Sequence, residues 1–228
     1  MGLGDTPTVG TSGSTPTLDD KQIDVERRVG LIFDIVDSGR HADTIQIDFL
    51  TRQLENNDLV PEGSKSQERA FVFDEQFPQF RSAFMQDAIA VSDLAALALA
   101  LLEPPPVQAT DLLLRKLDKD LREFCPTEPR STVLALERIA PVLASDVVAR
   151  YLGGILDELE GRSMPCTKWE KYFETAVEIG EIFQQLGTLS PDAQRQARRL
   201  LAHAASLDRD RTNRDILHLF AELGIYGK

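Results

Sequence analysis

The chain reads as an all-α protein, an array of eight to ten antiparallel helices that forms either a helical bundle or a short HEAT-like α-solenoid. Three observations predict this class. Apolar residues recur at helical spacing along most of the 228 residues, cap and stop residues bracket these stripes, and the linkers between them are only roughly two to six residues long.

The first stripe is Val25, Val29, Ile32, Phe33 and Val36, spaced 0, 4, 7, 8 and 11, with Gly39 as its stop. In the next segment Ile45, Ile47 and Phe49 alternate as a strand would, whereas Ile47, Leu50 and Leu54 have helical spacing. The run Leu50 to Glu55 favours helix formers and tips the segment to helix. Ser64 with Gln67 three residues on is a capping-box signature. Past Pro104, Pro105 and Pro106, which no helix interior accommodates, Leu114, Leu117, Leu121 and Phe124 form a stripe. Thr127, Glu128 and Pro129 then open a helix through Val133, Leu136 and Ile139.

Ser145 is read as the cap of a helix carrying Val148, Tyr151, Leu152, Ile155 and Leu159 and ending at Gly161. Thr167 with Glu170 is a second capping box, opening a helix through Trp169, Phe173 and Val177 that stops near Gly187. Ser190 and Pro191 start a helix with Ala197, Leu200, Leu201 and Ala204 inward, and a last one carries Ile216, Leu219, Phe220 and Leu223. The stretch from Ser145 to Ser190 holds two helices, as a two-helix repeat does. The dozen residues from Ser190 to Leu201 resemble the second half of a HEAT-type unit. The pattern does not recur at a fixed period, so no family is assigned.

Organisation follows from composition. Residues 1–17, rich in Gly, Thr, Ser and Pro, have no periodicity and are expected to be a disordered tail. The proline run suggests an acidic N-terminal helical subdomain over 18–103 and a C-terminal one over 107–228. Residues 1–106 carry 8 basic and 18 acidic side chains, against 17 and 19 in 107–228. The net charge of −12 argues against nucleic acid and anionic membrane surfaces as partners. Two cysteines, a first segment without a signal-peptide core, and a longest apolar run of nine residues (Leu94 to Leu102) point to a cytoplasmic protein.

Residue chemistry names no activity. Cys125, Cys166, His41, His203 and His218 are too scattered for a zinc set, and the Glu-x-x-His pairs of a di-iron bundle are missing. No phosphate-cradling glycine loop occurs, and Gly153-Gly154 lies in a helix, where it permits close packing. No serine sits in a nucleophile elbow. Glu170, Glu174, Glu178 and Glu181 form a solvated acidic line. No catalytic residue, metal or cofactor is therefore predicted.

Two features fit partner binding. Phe73, Phe77, Phe80 and Phe84 are spaced 0, 4, 7 and 11; such a stripe is ordinarily core, but Phe77, Phe80 and Phe84 are candidate interface anchors. Arg195, Arg198, Arg199, Arg209, Arg211 and Arg214 crowd twenty residues that hold only Asp208 and Asp210 in opposition, a basic patch suited to carboxylates. The expectation is a non-enzymatic protein–protein interaction module, an adaptor or a regulatory or effector-associated subunit with a protein partner. One alternative is an enzyme or small-ligand binder with a site assembled between helices, for instance from His203, His218 and Glu178. Another is a nucleic-acid-associated regulator using the arginine patch.

Overall fold

The computed structural model describes residues 18–38, 41–69, 89–122, 130–161 and 166–206. Eight α-helices occur among them: α1 (Leu18–Asp37), α2 (Thr44–Gln53), α3 (Val91–Leu101), α4 (Thr110–Arg122), α5 (Arg130–Ile139), α6 (Pro141–Gly161), α7 (Cys166–Leu186) and α8 (Pro191–Ser206). A 3-10 turn, Val107–Ala109, leads into α4, and residues 65–69 add one helical turn. The described residues contain no strand, only an isolated bridge between Leu59 and Ala90. The expected tail over 1–17, the phenylalanine stripe, Gly39, Phe124, Thr127 and the last helix lie outside the described residues, as does the side chain of Ala204.

Helix α3 is the centre. Its sequence VSDLAALALAL is apolar on every face, and all of it but Asp93 is buried, the pattern of a helix surrounded by others. Helices α1, α2 and α5 pack on it, and alternating Ala and Leu lets them approach closely. Its ends are met by backbone and side chain together. Ala90 offers no side-chain cap, so the first amides of α3 find other acceptors: Val91 N–H donates to the Asp58 carbonyl and Ser92 N–H to that of Asn56, each at 3.0 Å. At the other end Arg138 of α5 donates to the Ala100 carbonyl, placing a cation where the helix dipole is negative.

The expected stripe of α1 is buried as predicted, with Ile35 added to it. The turn over 65–69 is pinned to α1 by Arg69, which pairs with Asp34 and Asp37 and lies 4.9 Å from the Phe33 ring centroid. The segment read two ways is helix α2. Leu50 and Leu54 are buried while Ile45 is three-quarters exposed, and Asp43 with Gln46 forms its capping box. Ser64 accepts from Gln67 N–H as expected, but the Gln67 side chain accepts from Gly63 N–H rather than from Ser64.

Three expectations need correction. In α4 the buried register is Leu113, Leu117 and Leu121, continued upstream by Ala109, while Leu114 sits at the margin; three consecutive leucines let packing on α5 and α6 choose the face. Ser145 is not a cap. Helix α6 starts at Pro141, where the missing N–H costs nothing, and the ladder runs almost unbroken from α5 through Ala140, so this one-residue junction has no loop to reverse the chain. Thr167 lies one residue inside α7, which begins at Cys166. Two other boundary expectations hold: Gly187 terminates α7 at φ +66, and Ser190 caps α8 by accepting from Ala193 N–H at 3.1 Å.

From α3 onward each helix packs on the next but one: α3 on α5, α4 on α6, α5 on α7 and α6 on α8. The α6–α8 seam is parallel and in register. Ser190 N–H donates to Ser145 Oγ, Arg199 reaches Asp157, and His203 meets Glu160, at sequence offsets of 45, 42 and 43. Midway along the seam, a Cβ on Gly153 would stand 3.2 Å from the buried Gln196 side chain, so the glycine permits that approach; one on Gly154 would meet nothing. The buried apolar residues on both sides of the proline run form one continuous core.

Ser92 Oγ, fully buried on α3, has no hydrogen-bond partner among the described residues. Burying a hydroxyl unpaired is costly, so Ser92→Ala is expected to raise the unfolding free energy by about 1 kcal/mol in urea titration. An unchanged or lower midpoint would contradict this.

Candidate functional site: a buried charge cluster and a basic helix face

Helix α4 is amphipathic, with leucines on one face and charges on the other. Lys116 lies next to the buried stripe, between Leu113 and Leu117, and its side chain is only 9% exposed. A buried ammonium needs compensation, and it has two carboxylates: Asp93 of α3 and Asp120 of α4, each 3.1 Å from Nζ. Thr132 of α5 donates its hydroxyl to Asp120 at 3.1 Å. The cluster thus ties three helices together through one cation, two anions and a hydroxyl.

Its electrostatics follow from that inventory. Burial by itself would lower the Lys116 pKa, but attraction to Asp93 and Asp120 outweighs it and holds the ammonium above its ordinary value. Burial also pushes the Asp120 carboxyl above the usual carboxylate range, with Asp93 adding repulsion and Lys116 only partly offsetting it. With both carboxylates 3.1 Å from its Nζ, Lys116 serves as the cation that joins α3 to α4. This cluster was not read from the sequence. Its one signal was a lysine flanked by buried positions.

Beside the cluster lies a cleft of about 140 Å³, walled by the chain just past α2 (Leu54, Glu55, Asn57) and by Leu112, Arg115, Lys119 and Asp120 of α4. Leu54 is buried and Leu112 half-buried, whereas Arg115, Lys119 and Glu55 are exposed.

The arginine patch divides. Arg199 turns into the α6–α8 seam, where its guanidinium meets Asp157 at 2.7 Å and Glu160 at 2.8 Å and also donates to the side-chain amide oxygen (Oε1) of Gln196 at 2.9 Å. Hydrogen bonding from Arg199, reinforced by its charge and by His203, holds the Glu160 carboxyl below its usual range. Arg195 pairs with Asp192 within its own helix. Arg198 is exposed, with no ion pair among the described residues. Arg209, Arg211 and Arg214 lie outside the described residues, as do Phe77, Phe80, Phe84, Cys125 and His218.

Of the histidines, His41 contacts the Glu103 carbonyl at 2.9 Å and His203 contacts Glu160 at 3.2 Å. Among the described residues no group of three His, Cys, Asp or Glu side chains is placed to hold a metal ion, and no helix is long and apolar enough to cross a membrane. Glu178 and Glu181 are exposed on α7, while Glu170 and Glu174 have undescribed side chains. No protein-family model, curated protein or solved structure matches this chain.

The cluster yields a test with a definite sign. Lys116→Met leaves two carboxylates facing each other, and we expect a loss of about 2 to 3 kcal/mol at pH 7, discounted from a fully buried pair because Asp93 is 37% exposed. That deficit shrinks as pH falls and a carboxylate takes up a proton. The raised Lys116 pKa contributes stability that is complete below its unfolded value near ~10.4 and lost as pH rises through the folded one, so the deficit also narrows above about pH 10. Urea midpoints across pH measure this; a pH-independent deficit would exclude the charge cluster as its cause.

Proposed function

We propose that this chain is a non-enzymatic α-helical interaction module, an adaptor or regulatory subunit that docks an acidic protein on an outward helix face. The observation that supports this reading is the parallel stacking of α6 and α8 at a nearly constant offset of 42 to 45 residues. Stacked two-helix units of about this length build extended surfaces from rigid helix faces, the geometry that α-solenoids use for binding. On α8 the buried face is Ala193, Ala197 and Leu200, and the outward one carries Arg195 and Arg198.

Division of labour among the arginines gives the reading its test. Arg199 is committed to Asp157 and Glu160 and ties α8 to α6; of the two outward arginines, Arg195 pairs with Asp192 and Arg198 has no ion pair among the described residues. A guanidinium without an intramolecular carboxylate is the better group for one on another protein.

The experiment is affinity capture at low and moderate salt with the wild-type chain, Arg198→Glu and Arg199→Gln, each captured protein then being purified and its affinity measured. We expect an acidic partner whose affinity falls about tenfold or more with Arg198→Glu while the helical circular dichroism is unchanged. Arg199→Gln should instead lower stability by roughly 0.5 to 1 kcal/mol, as expected for a partly exposed ion pair. A partner that binds Arg198→Glu and wild type equally would remove this face of α8 from the proposal.

A further inference from the structure

We propose that the cleft between the end of α2 and α4 is a binding site for a small organic monocarboxylate with a short apolar tail. Four observations converge on this chemistry. The first is size: about 140 Å³ is close to the roughly 150 Å³ cavities that accept a six-carbon ring. The second is the lining, because Leu54 and Leu112 give it an apolar part from two different elements.

The third is charge. Arg115 and Lys119 stand one helical turn apart on α4, both at the cleft and both exposed. Neither has a carboxylate partner among the described residues; the one bond of Arg115 is from Nε to the Asp111 carbonyl of its own helix, at 3.4 Å. Some exposed cations are matched, as Arg122 is by Asp118 and Arg195 by Asp192, and others, such as Arg27, Arg150 and Arg198, have no ion pair among the described residues; what sets Arg115 and Lys119 apart is that they stand together at the cleft. Lys116 between them is saturated by Asp93 and Asp120. Two like charges at i and i+4 repel, and an anion placed between them relieves that repulsion while gaining charge-assisted hydrogen bonds from both.

The fourth observation limits the anion. Glu55 and Asp120 also line the cleft, so each negative charge on the ligand meets repulsion as well as attraction. A monocarboxylate exposes one charge to that repulsion and a phosphate dianion two, with no apolar tail to set against Leu54 and Leu112. The bound molecule therefore places its carboxylate between Arg115 and Lys119 and its tail against Leu54 and Leu112. This site is independent of the face of α8, and either can fail without the other.

Hexanoate is the probe, titrated into the full 15N-labelled chain and followed by amide chemical shifts, with hexanol and inorganic phosphate run alongside. We expect saturable shifts at Leu54, Asn57, Leu112 and Lys119 with a dissociation constant of about 1 mM, the range open to a ligand of this size. The double variant Arg115→Gln with Lys119→Gln should weaken binding about tenfold or more with unchanged circular dichroism, since both side chains are exposed. Hexanol and phosphate should each bind at least about tenfold more weakly than hexanoate. No saturable shift with hexanoate up to about 50 mM overturns the proposal. So does hexanol or phosphate binding as well as hexanoate, or a double variant that binds as well as wild type.

Discussion

A helix that is apolar on every side cannot stand at a surface, and α3, buried along all its length but for Asp93, imposes this requirement on the elements around it. Helices α1, α2 and α5 cover it, and its ends dictate where neighbouring segments run. Residues 56–60 pass beside residues 89–92 because the first amides of α3 need acceptors, and Arg138 projects from α5 toward the last turn of α3. The burial of one apolar segment thus selects the path of the chain before and after it. The proline run follows directly, so its rigid, donor-poor backbone begins where the central helix has to end.

Charge enters this apolar interior at one edge, and it does so compensated. Asp93 is the one residue of α3 that is not buried, and it is the residue that pairs with Lys116. The cluster carries two acids against one base, so its members do not titrate alike: the lysine is favoured in its charged form by both acids, while Asp120 bears burial and a like charge together. Such clusters are weak sources of net stability against an apolar replacement, but strict about position. Here that strictness fixes Asp93 of α3, Lys116 and Asp120 of α4 and Thr132 of α5 relative to one another.

Helix existence was legible because it rests on periodicity and local caps. The stripe of α1, the capping serine of α8 and the glycine after α7 are short-range features, and the structure places each where the spacing put it. What was illegible depends on partners distant in the chain. Leu112, Leu113 and Leu114 look alike to a periodicity argument, and only contact with α5 and α6 buries Leu113. Ser145 looked like a cap because serine is a good one; Pro141, four residues earlier, was the better signal. Arg198 and Arg199 are adjacent and chemically identical, yet about 100° of helical rotation sends one to solvent and the other to two acids on α6. The Lys116 cluster and the neighbouring cleft assemble residues from both sides of the proline run, which no local pattern connects.

The stacking pattern has a kinetic consequence. From α3 to α8 the packing joins near neighbours in the chain, and the ties that span farthest along the α6–α8 seam close loops of only 45 residues or fewer. Loop-closure entropy is therefore modest throughout this part, and low contact order favours rapid assembly from local helix pairs. Helix α1 docks on α3 from much earlier in the chain, and the contact from His41 to the Glu103 carbonyl spans 62 residues. Because closure entropy grows only with the logarithm of loop length, that loop costs about 0.3 kcal/mol more to close than one of 45 residues. The first two helices can therefore dock on α3 at an entropic cost close to that of the later pairs, and the apolar helix is covered without a long-range closure of its own.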